Sequence, residues 1–129
     1  MSKTDYAELA SKIGSGLLSF PVTPFSSEGT FNESSYRDHN EWLLQYKPAG
    51  IFAAGGTGEF FSLTLGEYKQ VVTTAVSQIA GRVPVIAGCG YGTQMAKEFA
   101  AAAEGAGADA LLLLPPYLVN ADADRKSVV

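Results

Sequence analysis

Four short, mostly apolar runs constrain the fold of this chain more than any other feature of its sequence. They cover residues 17–23, 50–54, 83–88 and 108–114, and apolar residues follow one another in them instead of alternating with polar ones. A strand of this kind is buried on both faces, as in a parallel sheet that helices cover. The spacing of about thirty residues leaves room for a helix in each connection. The sequence therefore predicts an α/β fold with a parallel sheet.

Each connection between these runs carries the pattern of a helix with a recognisable start. Asn32 or Ser34 can cap the first of these helices. Thr64 and Glu67 form a capping box, in which each side chain bonds the free backbone N–H of the other residue. Thr93 can cap the alanine-rich helix that follows the third run. With a short leading helix, the order is β-α-β-α-β-α-β, which builds either a doubly wound sheet or a (β/α)8 barrel.

Composition and charge exclude several functional classes. The 129 residues are 47% hydrophobic and 17% charged, which suits a folded core in one domain or part of one. A net charge of -4 without a basic cluster argues against nucleic acids or anionic membranes as partners. The single cysteine, Cys89, suits a reducing compartment. Because no run approaches the ~20 apolar residues of a membrane span and the first residues lack a signal-peptide core, we expect a cytoplasmic protein.

A glycine-rich turn follows the second apolar run and is the first candidate for a functional site. It reads Gly-Gly-Thr-Gly-Glu-Phe at residues 55–60 and precedes the capping box of the next helix. Between a strand and a helix, backbone N–H groups can converge on an anion, and glycine lets the backbone approach a ligand closely. Thr57 adds a hydroxyl group. The pattern predicts a site for the carboxylate or phosphate of a small metabolite.

Four sequence blocks occur in the order and at the spacing of one known superfamily. They are Ser-Phe-Pro-Val-Thr-Pro-Phe at 19–25, the turn at 55–60, Pro-Val-Ile-Ala-Gly at 84–88 and Leu-Leu-Pro-Pro-Tyr at 113–117. Together they resemble the N-terminal half of the dihydrodipicolinate synthase/N-acetylneuraminate lyase superfamily, and within it the dehydratase branch. The resemblance covers residues from about 10 to 118.

The resemblance implies both a fold and a chemistry. The fold is a (β/α)8 TIM barrel, of which this chain would form the N-terminal half. Members form a Schiff base between a barrel lysine and a 2-keto acid, and the iminium serves as an electron sink. For the dehydratase branch this implies dehydration and decarboxylation of 5-dehydro-4-deoxyglucarate to 2,5-dioxopentanoate, in glucarate catabolism. It further implies no metal or organic cofactor, a keto-sugar acid as small-molecule partner, and a homo-oligomeric full-length protein.

The resemblance also assigns substrate-binding residues. In the family, the loop after the second strand holds the substrate carboxylate, a role that falls here on Gly56 and Thr57, with Gly58 keeping the turn tight. Tyr117 is expected to line the pocket, and a subunit contact or a packing role is the alternative. Many relatives carry a hydroxyl residue at the position of Gly56, where it joins a tyrosine-based proton relay. Glycine at this position, and Leu118 in place of a second tyrosine, favour the dehydratase branch.

The catalytic residues of the family are not expected within this chain. The resemblance places the catalytic tyrosine after the fifth strand and the Schiff-base lysine on the sixth, both beyond the C-terminus. Lys47, Lys69 and Lys97 lie on or near predicted helices, and Lys126 lies beyond every family motif. We therefore expect the chain alone to be inactive.

Two alternatives to a dehydratase fragment remain open. The chain could be a fragment of another 2-keto acid aldolase or synthase of the superfamily. It could also be a non-enzymatic half-barrel that self-associates through an exposed edge strand.

The end of the chain fits the family poorly. We interpret residues 1–118 as a partial TIM-barrel domain and residues 119–129 as a tail outside it. Residues 124–129 correspond to one translation of a common sequencing-adapter stretch, so an artificial reading frame is our hypothesis for this tail. A short natural tail is the alternative.

Several other polar residues are expected to have structural roles. Glu59 suits the start of the following helix, where a carboxylate complements the dipole. His39 lies in mid-helix, and Cys89 follows a strand as a small packing residue. Thr23 is expected either to line the pocket or, more commonly for a strand-end hydroxyl, to bond backbone. The glycines at 90–92 lack the third glycine of a dinucleotide-binding loop.

Overall fold

The computed structural model describes residues 5–115, which form a parallel sheet with its connecting helices. In chain order the elements are α1 (Tyr6–Ile13), β1 (Leu18–Ser19), α2 (Glu33–Leu44), β2 (Gly50–Ala53), a 3₁₀ helix (Phe60–Ser62), α3 (Leu65–Ile79), β3 (Val85–Cys89), α4 (Thr93–Ala106) and β4 (Ala110–Leu113). The predicted alternation of strands and helices is confirmed. None of the helices in residues 5–115 has the length and apolar character that crossing a bilayer requires. Tyr117 and the tail at 119–129 lie outside the described residues.

The order of the strands distinguishes the two architectures that the sequence left open. All neighbouring strands are parallel, and the sheet order is β1-β2-β3-β4, the same as the order along the chain. A doubly wound sheet reverses its strand order at a switch point, whereas a barrel adds each strand on the same side of the last. The described residues therefore follow the winding of a (β/α)8 barrel.

The sheet is apolar on both faces. Ile51 and Ala53 of β2 pack in the main core, to which α3 and α4 also contribute. Phe52, between them, points to the other face and stacks on Phe20 with 4.5 Å between the ring centroids. On that face Phe20 and Val22 stay 39% and 50% exposed. Within residues 5–115, one face is thus covered by helices and the other is partly open.

The first strand is much shorter than predicted. Only Leu18 and Ser19 pair with β2, although the apolar run extends to residue 23. Pro21 has no N–H to donate to a sheet ladder, so regular pairing stops before it. Pro84 likewise has no N–H to donate, and β3 begins after it, at Val85 instead of at residue 83.

The starts of α2 and α3 agree with the sequence patterns. Asn32 is the cap of α2, and its side chain accepts a hydrogen bond from Ser35 N at 3.1 Å. The capping box of α3 is complete: Thr64 N donates to Glu67 Oε1 at 2.9 Å, and Glu67 N donates to Thr64 Oγ1 at 3.1 Å. The capping residues in the sequence were therefore sufficient to predict where α2 and α3 begin.

The predicted cap of α4 is wrong. Gly92 occupies the cap position without a side-chain hydrogen bond, and Thr93 is the first helical residue. The residue before Gly92, Tyr91, has a left-handed backbone with φ 69°. Because of this turn the helix begins at Thr93 itself, one residue earlier than it would if Thr93 were the cap.

Candidate functional site

The loop after β2 begins with a left-handed residue that is packed between two glycines. Ala54 is fully buried and has φ 50°. A Cβ on Gly88 would lie 2.0 Å from the Ala54 carbonyl oxygen, and a Cβ on Gly58 would lie 3.1 Å from Ala54 Cα. Gly88 needs to be glycine because the backbone of Ala54 occupies the space of a side chain, and a Cβ on Gly58 would be in tight contact with the same backbone. The tight turn that the sequence assigned to Gly58 has this steric cause.

Two internal hydrogen bonds set the direction of the backbone N–H groups in this loop. Phe60 N donates to the Gly55 carbonyl and Glu59 N donates to the Gly56 carbonyl, each at 3.0 Å. Cis peptide bonds are absent from residues 5–115, so each N–H points opposite to the carbonyl of the same peptide unit. The N–H groups of Gly56 and Thr57 therefore point away from the loop interior. Neither donates to a protein acceptor within the described residues, and successive N–H groups of this kind can bind an anion.

The three loop residues that the family resemblance assigned to substrate binding differ in their exposure to solvent. Gly56 and Thr57 are exposed, whereas Gly58 is buried. A Cβ on Gly56 would meet no other atom within 4 Å. Packing among residues 5–115 does not require glycine at position 56, and the space beside it is open to a ligand.

Thr23 connects the segment after β1 to this loop. Its hydroxyl group donates a buried hydrogen bond to the Gly58 carbonyl at 2.7 Å. Of the two roles expected for Thr23, the structure shows the bond to backbone.

An aromatic cluster supports the other end of the loop. Phe60 is fully buried, and its ring centroid lies 5.0–5.9 Å from those of Phe61, Tyr68, Tyr91 and Phe99. The hydroxyl of Tyr91 donates to the Phe61 carbonyl at 2.7 Å, which joins the loop after β3 to the 3₁₀ helix. Our sequence reasoning missed this cluster, although a Phe-Phe pair after the glycines and a tyrosine between two glycines were visible signals.

Burial raises the pKa of two side chains that lie behind the loop, Tyr68 and Cys89. The Tyr68 hydroxyl donates to the Gly88 carbonyl at 2.6 Å, and burial raises its pKa far above the usual range. Burial also raises the pKa of the Cys89 thiol, whose sulfur lies 3.2 Å from the Ala96 carbonyl oxygen. His39 stacks on Trp42 on α2. The structural roles expected for Cys89 and His39 agree with these contacts.

The described lysines do not occupy the position that Schiff-base chemistry requires. Lys12, Lys69 and Lys97 lie on α1, α3 and α4, and Lys47 lies in the turn before β2. Within residues 5–115, no lysine lies at the carboxyl end of a strand, and no group of three or more His, Cys, Asp or Glu could hold a metal ion. What this part of the chain brings together is a loop suited to binding an anion.

Comparison with known proteins identifies close relatives. The chain is 61% identical over 124 residues to a probable 5-dehydro-4-deoxyglucarate dehydratase from Bradyrhizobium sp. (strain BTAi1), covering 96% of this chain and 40% of the relative. It is 59% identical to a protein of the same description from Ralstonia nicotianae, again covering 96% of this chain and 40% of the relative. The chain thus spans about 40% of the length of these curated relatives.

Solved structures of similar fold and a matching family model point to the same family as these relatives. Dihydrodipicolinate synthase from Oceanobacillus iheyensis superposes with a TM-score of 0.81 at 31% identity, over 90% of this chain and 39% of that one. The enzyme from Bacillus clausii gives 0.79 at 33% identity, over 86% of this chain and 38% of that one. The model of the dihydrodipicolinate synthetase family matches residues 14–125. The chain belongs to the dihydrodipicolinate synthetase family.

Proposed function

We propose that this chain forms the carboxylate-binding part of a Schiff-base lyase that converts 5-dehydro-4-deoxyglucarate to 2,5-dioxopentanoate. The reaction removes one water and one CO2 from the substrate. Catalysis belongs to the whole protein, which supplies the lysine and the tyrosine from outside residues 5–115. We propose that the 129-residue chain alone is inactive.

The observation that carries this proposal is the geometry of the loop after β2. The N–H groups of Gly56 and Thr57 point out of the loop, and Thr57 is exposed. Two N–H donors and a hydroxyl suit the two oxygens of a carboxylate. The open space at Gly56 and the identity of about 60% to relatives described as probable dehydratases support this branch of the family.

In this proposal the loop orients the substrate for chemistry elsewhere in the barrel. Binding the carboxylate next to the keto group fixes the distance between the keto carbon and the lysine amine. The amine adds to that carbon and water leaves, which gives an iminium. Loss of a proton from the carbon next to the iminium gives an enamine, which expels the hydroxyl on the following carbon as water. The conjugated iminium that results accepts the electron pair of the C–C bond that breaks as CO2 leaves from the other end of the substrate. Hydrolysis of the product iminium then frees the lysine and consumes the water released when the first iminium formed. Tyr117 is assigned to the pocket wall.

A chimera tests the proposal in a complete barrel. Residues 1–115 of this chain are joined to the remaining part of the Bradyrhizobium relative, and release of CO2 and 2,5-dioxopentanoate is measured by mass spectrometry. We expect turnover by the chimera, a borohydride-trapped pyruvate adduct on it, and neither with the 129-residue chain. In the chimera, Thr57→Val is expected to reduce kcat/KM by about 10- to 100-fold, because a hydrogen bond to a charged group contributes roughly 1.5–3 kcal/mol.

The same assays distinguish the other members of the superfamily. Turnover of aldolase or synthase substrates by the chimera, without turnover of 5-dehydro-4-deoxyglucarate, would assign the chain to another 2-keto acid enzyme. Unchanged kinetics in Thr57→Val would exclude the Thr57 hydroxyl as a ligand of the substrate carboxylate.

A second candidate function rests on the partly open face of the sheet. Phe20 and Val22 are 39% and 50% exposed there, and β1 is an edge strand in the described sheet. A half-barrel with an apolar face can self-associate. Size-exclusion chromatography of the 129-residue chain tests this: a discrete dimer supports the binding function, and aggregate or unfolded monomer contradicts it.

A further inference from the structure

One buried hydrogen bond joins two segments that are far apart in sequence at the edge of the candidate site. Thr23 is 7% exposed, and its hydroxyl donates to the carbonyl of Gly58, 35 residues later, at 2.7 Å. Thr23 follows β1, whereas Gly58 belongs to the loop after β2. The bond therefore fixes the loop after β2 relative to the segment that follows β1.

The bond acts on a peptide unit that is held at both ends. The Gly58 carbonyl and the Glu59 N–H belong to the same planar unit. The carbonyl accepts from Thr23 and the N–H donates to the Gly56 carbonyl at 3.0 Å. A planar unit with both ends bonded cannot rotate without losing a hydrogen bond.

A second peptide unit transmits this constraint to the proposed ligand donor. The Gly56 carbonyl, which accepts from Glu59, shares its unit with the Thr57 N–H. The direction of the Thr57 N–H thus depends on the hydrogen bond that the Glu59 N–H donates. Because the Glu59 N–H shares a planar unit with the Gly58 carbonyl, it depends in turn on the hydrogen bond from Thr23. Glycines at positions 56 and 58 offer little torsional resistance of their own, so the hydrogen bonds must supply the order.

We propose that Thr23 is a positioning residue that holds the Thr57 N–H in its carboxylate-binding direction. The inference rests on the function proposed above and adds a residue that does not itself touch the substrate. A methyl group in place of the hydroxyl leaves the Gly58 carbonyl without its buried donor and frees the first peptide unit to rotate. The effect is on binding of the carboxylate and not on the bond-breaking steps.

The experiment uses the chimera with three substitutions. Thr23→Val removes the hydroxyl with little change in shape, and Thr23→Ser keeps it. Thr74→Val is the matched control, because Thr74 is 4% exposed and its hydroxyl contacts Glu33 at 3.5 Å, away from the loop. Steady-state kinetics with 5-dehydro-4-deoxyglucarate are combined with hydrogen exchange of the peptide that covers residues 55–60.

We expect Thr23→Val to raise KM about tenfold with kcat changed less than about twofold, as for a lost interaction of ordinary hydrogen-bond strength. Amide exchange over residues 55–60 should become about tenfold faster. Thr23→Ser should restore both values, and Thr74→Val should leave both unchanged.

The outcomes separate this inference from the proposed function. Unchanged exchange at residues 55–60 in Thr23→Val overturns the inference whether or not the chimera is active. A lower kcat with unchanged KM overturns it as well. An inactive parent chimera overturns the proposed function, while faster exchange in the same protein would still support the role of Thr23 in holding the loop.

Discussion

Replacing Gly88 by alanine is expected to destabilise the fold by at least about 3 kcal/mol, at or above the upper end of overpacking effects. The new Cβ would lie 2.0 Å from the Ala54 carbonyl oxygen and 3.3 Å from Gly55 Cα. These are backbone atoms of a buried strand end, so no side-chain rotation relieves the contact. Either β2 and β3 separate or the loop after β2 moves. Urea denaturation of the chimera, followed by circular dichroism, measures the loss.

Gly105→Ala is the control for this substitution. A Cβ at Gly105 would meet nothing within 4 Å, and the residue lies in α4. Alanine is the better helix former by about 1 kcal/mol, so we expect equal or greater stability. If Gly88→Ala were as stable as Gly105→Ala, the close approach of Ala54 to β3 would be wrong.

Replacing Phe60 by alanine is expected to cost about 3–5 kcal/mol, as for other fully buried aromatic residues. Its ring contacts rings from the 3₁₀ helix, α3, α4 and the loop after β3, so its loss leaves a cavity among four elements. The backbone of Phe60 also closes the glycine loop through the Gly55 carbonyl. We therefore expect the variant chimera to lose both stability and kcat/KM. Thermal unfolding and steady-state kinetics measure the two effects.

Two further substitutions serve as controls for Phe60→Ala. Phe60→Leu keeps most of the apolar volume and is expected to cost less than half as much. Tyr6→Ala removes an aromatic ring that is 77% exposed on α1, and such surface changes stay within about 0.5 kcal/mol. Equal losses in Phe60→Ala and Tyr6→Ala would contradict the packing of the aromatic cluster.

The sequence alone was sufficient where a structure depends on residues close together in the chain. The capping box of Thr64 and Glu67 and the cap at Asn32 each satisfy their backbone groups locally. Continuous apolar runs indicated burial on both faces of a parallel sheet, because each strand carries that signal by itself. The family resemblance followed from the order of four sequence blocks, and the family model matches residues 14–125.

Local patterns failed at the first strand and at the start of α4, and both segments make hydrogen bonds to distant parts of the chain. The predicted first strand ran to residue 23, but Pro21 ended its pairing and the Thr23 hydroxyl bonded Gly58. The predicted cap at Thr93 was displaced by the left-handed turn at Tyr91, whose hydroxyl bonds the Phe61 carbonyl. These partners are 30 to 35 residues away, beyond any periodicity in the sequence.

The sequence by itself determined which segments are strands and helices, where the glycine-rich loop lies and which family the chain resembles. Tertiary structure alone decided the barrel winding, because strand order depends on which edge each new strand joins. It alone showed why Gly88 must be glycine and why Gly58 is tightly packed while the space at Gly56 is open, since that difference depends on the path of Ala54. Sequence encodes burial and caps residue by residue, whereas the hydrogen bonds from Thr23 to the Gly58 carbonyl and from Tyr91 to the Phe61 carbonyl join segments that only folding brings together.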